Sequence, residues 1–280
     1  MKKPDSKSSE PKSDGVSRRA FLAGAAGGAL AAACLARDAH AEPPPGNAGA
    51  ARPNPRLRKR LLECPGGEWP AGGPLDVQLE RSEPKAGYRL DRIHYLVEPQ
   101  ERIAAYLLVP DGVDAKHPAP GICVWHQHAG QYEVGKDEPA GVNAPNFGAM
   151  HMTGVALARE GYVVLCPDAA GFGERNRPPR PDGRADAVGM TLERHLFSMQ
   201  VLAGKSLAWK NILDMRRAVD VLAARPEVRA DRLGCYGHSM GSTHTWMDRF
   251  SYFIEEGVGH ELSPEMWRRT REHFAKYLRA

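Results

Sequence analysis

The chain has 280 residues, room for one large or two small domains, and carries a net charge of +4 at neutral pH. Residues 1–41 hold seven Lys and Arg against four Asp and Glu, so most of that charge sits in the first segment and the remainder is close to neutral. A near-neutral body without a basic stripe argues against nucleic acid as a partner.

The start reads as an address. Ser17-Arg18-Arg19-Ala20-Phe21-Leu22 opens an apolar run rich in Ala and Gly that lasts to Ala36, and Ala39-His40-Ala41 offers a small-residue cleavage site. A charged start, a short apolar core and an A-x-A cut define an export signal, and the paired arginines define the twin-arginine type. The expected partner is the twin-arginine export machinery, and the expected location is periplasmic or secreted. The run is too short and too poor in large apolar residues for stable membrane insertion after cleavage. The alternative is a lipid anchor at Cys34, which follows Ala31-Ala32-Ala33.

Residues 42–75 are rich in Pro, Gly and Ala and read as a linker or an arm wrapping the domain. Their basic cluster, Arg56-Leu57-Arg58-Lys59-Arg60, reads as a solvated helix turn. The domain proper is expected over 76–280. Tyr88–Val97 and Arg102–Val109 are β-like, and Glu98-Pro99-Gln100-Glu101 between them predicts a hairpin. Gly121–Trp125 and Tyr162–Cys166 are short continuous apolar runs, which fit strands buried on both faces. A helix is expected over Phe147–Glu160, and residues 176–190 read as an exposed loop. From Ser206 to Arg225, Ile212, Met215, Val219 and Leu222 recur at helical spacing. Ser263 and Pro264 start a last helix, with Trp267, Phe274 and Leu278 on one face. Strands alternating with helices predict an α/β class with a parallel sheet. Cys123, Cys166 and Cys235 fall inside strand-like runs and read as packing residues, while Cys64 has no obvious partner.

Gly237-His238-Ser239-Met240-Gly241 carries the chemistry. It follows an apolar run, Arg232–Tyr236, and precedes a helix start, so it is a G-x-S-x-G pattern in a strand–turn–helix setting. A sharp turn there pushes the serine hydroxyl out of the sheet edge and crowds the positions two before and two after, which therefore lack side chains. A serine nucleophile needs a base. His260, in the Gly-flanked loop ahead of the last helix, is the best placed; His238 is locked in the elbow, and His244 points away along the following helix. His126-Gln127-His128 ends a central strand at the same sheet edge. The amide of Gln127 or His128 there, with that of Met240, would form an oxyanion hole. A metal site built from His126, His128 and Glu174 is the competing reading.

From about Arg92 onward the chain resembles the α/β-hydrolase fold, and within it the dienelactone-hydrolase and acetyl-xylan-esterase-like branch. The resemblance rests on Tyr106-Leu107-Leu108-Val109-Pro110, His126-Gln127-His128-Ala129-Gly130, Pro167-Asp168 with Gly171-Phe172-Gly173-Glu174-Arg175, the Gly237–Gly241 elbow, and Gly259-His260 with Ser263-Pro264-Glu265-Met266. It implies a mostly parallel sheet flanked by helices. It also implies a small-molecule ester or lactone substrate, Ser239 as nucleophile and His260 as base; no cofactor is expected, and no third ligand at motif spacing joins His126 and His128 for a metal. One departure stands out. Only 20 residues separate Ser239 from His260, where the fold normally places two further strand–helix units and the triad acid. Asp248, Glu255 and Glu256 fall in that interval without matching the acid position, so a block is expected to be missing after about Met247, leaving the sheet short of strands near the C-terminus.

Overall fold

Alternating and continuous apolar runs both become strands here, and the difference between them decides where each strand lies. The computed structural model describes residues 55–143, 151–176, 188–244 and 261–279, all within one compact unit, Arg52–Ala280. The export signal with Cys34, the first part of the expected Phe147–Glu160 helix, Asp248, Glu255, Glu256 and His260 lie outside the described residues.

After a short helix α1 (Pro55–Glu63) come β1 (Gln78–Lys85), β2 (Tyr88–Glu98), β3 (Glu101–Pro110) and β4 (Ala119–Trp125). Then follow α2 (Asp137–Ala140), α3 (Thr153–Arg159), β5 (Val163–Pro167), α4 (Met190–Leu202), α5 (Leu207–Ala223), β6 (Val228–Gly237) and α6 (Pro264–Leu278). The strands form one sheet in the order β1-β2-β3-β5-β4-β6. β1 is exposed along nearly its whole length and forms the edge, while β5 is buried at every position and lies inside.

The expected α/β architecture is present, but the sheet is mixed rather than mostly parallel. β1–β2, β2–β3 and β3–β5 pair antiparallel, and β5–β4 and β4–β6 pair parallel. The physical reason is connection length. The tight link at Pro99-Gln100 can only return the chain antiparallel, whereas a parallel return needs a crossover. α3 supplies that crossover between β4 and β5, and α5 supplies it between β5 and β6. Among the described residues no strand follows β6.

Both faces of the sheet are covered. On one, Leu213, Ala218, Val221 and Leu222 of α5 pack on Ile93, Leu107, Cys123 and Leu165. On the other, Val155, Leu157 and Ala158 of α3 and Phe274 and Leu278 of α6 pack on Leu108, Ile122, Val124 and Val164. The helix starts follow their sequence signals: the Ser206 hydroxyl accepts from the Trp209 amide at 3.1 Å, and the Ser263 hydroxyl accepts from that of Met266 at 3.0 Å. Such caps are each worth about 1 kcal/mol. The stretch after α1 runs along α5. Ser206 donates its amide to the Pro65 carbonyl at 2.7 Å, and Trp209 and Trp69 exchange indole bonds with the Gly67 and Trp209 carbonyls at 3.0 and 2.9 Å.

Besides the one-turn α2, two longer elements escape sequence reading. β1 is Gln-Leu-Glu-Arg-Ser-Glu-Pro-Lys, an exposed edge strand with no apolar alternation. α4 occupies a stretch to which no element was assigned. Leu192 is its one buried residue, and Met190, Phe197, Val201 and Leu202 are all exposed.

Candidate active site

β6 ends at Gly237 and the chain turns at once into a 3-10 segment, Ser239–His244. Ser239 adopts a φ of +56°, the left-handed region that a residue with a Cβ occupies only at a cost of about 1–3 kcal/mol. The two glycines show why the turn has no other solution. A Cβ on Gly237 would stand 2.2 Å from the carbonyl carbon and oxygen of Gly241, and one on Gly241 would stand 2.5 Å from the Trp125 oxygen. The elbow therefore packs backbone on backbone, against itself and against the end of β4. The Gly241 amide donates to the His238 carbonyl at 2.9 Å, and the Ser242 hydroxyl donates to the Ser239 carbonyl at 2.6 Å. The helix expected at Ser239 is, over the described residues, this tight 3-10 turn.

Trp125 and Gly237 are register partners on the parallel strands β4 and β6, so His126, Gln127 and His128 leave the sheet beside the elbow. β5 lies on one side of β4 and β6 on the other, and the carboxyl ends of strands at such a divergence are where open α/β sheets bind ligands.

The three residues behave differently. His126 is buried, and both ring nitrogens are engaged. Nδ1 contacts the Gln127 carbonyl at 2.8 Å, and Nε2 contacts the Ala169 amide at 3.0 Å. A carbonyl only accepts and an amide only donates, so the ring is neutral with its proton on Nδ1. Burial accordingly pushes its pKa below the ordinary histidine value. Gln127 donates its backbone amide to the Glu138 carboxylate. His128 accepts the Gly130 amide on Nδ1 at 3.0 Å and turns Nε2 to Glu193 at 3.3 Å.

Two donors of the metal reading are engaged elsewhere. The Nε2 lone pair of His126 is taken by the Ala169 amide. Glu174 is held by Lys136 and, at 2.8 Å, by Arg92. Burial would raise the Glu174 pKa, but these two cations outweigh it and hold it below the ordinary range. Among the described residues no group of three His, Cys, Asp or Glu is set to hold a metal.

Several groups that the sequence did not flag support this edge. Glu138, buried on α2, accepts the amides of Gln127 and, at 3.0 Å, His151. Burial pushes its pKa up to about 7 in spite of these bonds. The rings of His151 and His238 meet edge to face with centroids 4.7 Å apart, so His238 is part of the wall beside the elbow. At the end of β5, Asp168 is fully buried. It pairs with the Lys136 ammonium at 2.8 Å and accepts the Lys136 and Glu174 amides at 2.8 and 3.1 Å. Lys136 and Asp168 are 32 positions apart and share no motif, so only the fold reveals the pair.

No family model matches the chain. Over 189 residues it is 29% identical to a curated protein of Bacillus subtilis (strain 168) named "Putative hydrolase YtaP", an alignment covering 68% of this chain and 57% of that protein. Among solved structures it is similar to a "putative acetyl xylan esterase" from Bacteroides fragilis NCTC 9343, with a TM-score of 0.50 and 18% identity over 68% of this chain and 46% of the other. The chain spans about half the length of these proteins. Sheet order, two-sided helical cover and a glycine-flanked serine elbow define the class: this is an α/β-hydrolase fold.

Proposed function

We propose that the chain is an exported serine hydrolase that cleaves small carboxylic esters or lactones through an acyl-enzyme. The observation that carries this reading is Ser239, held at a positive φ between Gly237 and Gly241 against the end of β4. Ser239 Oγ attacks the carbonyl carbon as its proton passes to His260. The amides of Met240 and His128 receive the negative charge on the carbonyl oxygen. The His128 amide is chosen over that of Gln127 because the latter is already given to Glu138. Collapse breaks the bond to the alkoxy group, which leaves with the proton from His260. A water molecule then repeats the sequence on the acyl-enzyme, returning free Ser239 and the carboxylic acid. The names borne by the similar proteins support hydrolysis, and the esterase among them supports an ester as substrate. Delivery by the twin-arginine route, with cleavage after Ala41, rests on the sequence of residues 17–41.

A second reading has its own observation. The short interval between Ser239 and His260 holds no residue at the usual acid position, which favours a remnant whose Ser–His pair works without an orienting carboxylate, Asp248 being the one aspartate in that interval. Loss of the acid typically lowers turnover about 10⁴-fold and leaves a residue of activity.

Treating the purified full chain with a fluorophosphonate probe and locating the adduct by mass spectrometry tests both. A Ser239 adduct absent from Ser239→Ala, together with ester turnover that the same substitution abolishes, is the expected result. Ester turnover that survives Ser239→Ala would sink the serine mechanism. A Ser239 adduct without measurable turnover would favour the remnant.

A further inference from the structure

We propose that Glu193, on α4, is a positioning residue for ester cleavage: it holds the oxyanion loop 126–132 in its working shape through His128 and Tyr132. The inference rests on the serine-hydrolase reading, since it takes the His128 amide as an oxyanion donor.

The geometry converges on one carboxylate oxygen. Glu193 Oε2 accepts the Tyr132 hydroxyl at 2.7 Å and lies 3.3 Å from His128 Nε2. The Gly130 amide donates to His128 Nδ1 at 3.0 Å, so Nε2 carries the ring proton and donates it to Glu193. The imidazole is thus gripped from both ends. Its faces and edges are also occupied: the rings of His128, Tyr132 and Phe172 lie with all three centroid separations at 5.0 Å.

The loop needs such a grip. Ala129 sits at a φ of +43° and Gly130 at +70°. The turn is closed by the Gln131 amide on the His128 carbonyl at 2.8 Å. A left-handed alanine persists only where its surroundings fix it. Tyr132 ties the far end, its carbonyl accepting the Gly173 amide at 2.8 Å. Glu193 itself stands on the first turn of α4, whose lead residue Gly189 donates its amide to Asn176 at 2.6 Å.

The chemical consequence concerns the direction of the His128 N–H. An oxyanion donor acts only when aimed at the position the charge will occupy, and a small misplacement removes most of its effect. Glu193 makes no contact with the reacting atoms in this scheme; it fixes the ring whose backbone does.

Two readouts on the full chain test this. Amide hydrogen exchange over peptide 126–132 reports the loop, and kcat and KM for 4-nitrophenyl acetate report the chemistry. Glu193→Ala should speed exchange in that peptide about tenfold, by releasing local structure. It should lower kcat about 10–100-fold with KM nearly constant, as expected for an interaction made in the transition state. Glu193→Gln keeps an acceptor oxygen for both donors and should recover most of each loss. Wild-type exchange in Glu193→Ala overturns the proposal, and so does a rise in KM at constant kcat. If Glu193→Ala does not fold, Tyr132→Phe, which removes one donor from the same carboxylate, is read in the same way. Turnover insensitive to Ser239→Ala, or absent from the wild type, is a failure of the serine reading instead. The exchange result then decides on its own whether Glu193 holds the loop.

Discussion

The carbonyl oxygen of Trp125 stands 2.5 Å from where a side chain on Gly241 would begin. The last residue of β4 and the last glycine of the elbow thus define each other's position, two residues beyond Ser239. Gly241→Ala must push backbone against backbone, which has no flexible end to yield. It is expected to destabilise the fold by about 1–3 kcal/mol and to abolish fluorophosphonate labelling of Ser239. Thermal unfolding with labelling on the same samples checks both. A variant of wild-type stability that still labels would mean the elbow is looser than described.

Glu138 gives stability a pH dependence of known sign. Its folded pKa is about 7, raised from an ordinary 4.5 by burial. The folded state therefore holds the proton more tightly than the unfolded chain. This group's contribution is fully present below about pH 4.5 and is lost as pH rises through 7, amounting to about 3 kcal/mol. Urea unfolding of wild type and Glu138→Gln at pH 5 and pH 8 should show a drop in the wild type that the variant lacks. Equal drops in both would remove Glu138 as the cause.

The pair of Lys136 and Asp168 is buried at both ends. Burial would lower the Lys136 pKa, but Asp168 and Glu174 outweigh it and raise it above the ordinary lysine value. Lys136→Met leaves the buried Asp168 carboxylate with two backbone donors and without its paired ammonium. A loss of about 3–5 kcal/mol is expected, and adding Asp168→Asn should restore part of it. A double variant less stable than the single one would show that the carboxylate acts through something other than the lysine.

The parts legible in the sequence are those where one position carries the whole constraint. Gly237 and Gly241 must lack side chains, so the elbow is written in two letters. Ser206 and Ser263 announce their helices because capping is a local bond. The strand runs Gly121–Trp125 and Tyr162–Cys166 are apolar because both faces of the sheet are covered. The choice between Gln127 and His128 could not be read, because it depends on a carboxylate 11 positions away that takes one of the two amides. Nor could Glu193 be found, since its partners are Tyr132 and His128, 61 and 65 positions earlier. α4 was missed because its apolar residues look outward, and helical patterning reports only a buried face.

The mixed sheet sets an order of assembly. β2 and β3 meet across a short turn, so their pairing closes a small loop and forms early. The β4–β6 pairing joins Trp125 to Gly237 across more than a hundred positions, and distant pairings pay their closure entropy late. The elbow rests on that last-formed seam. Under the proposed serine mechanism, labelling of Ser239 is then a clock for completion of the fold: during refolding it should rise only after the hairpin signal has saturated.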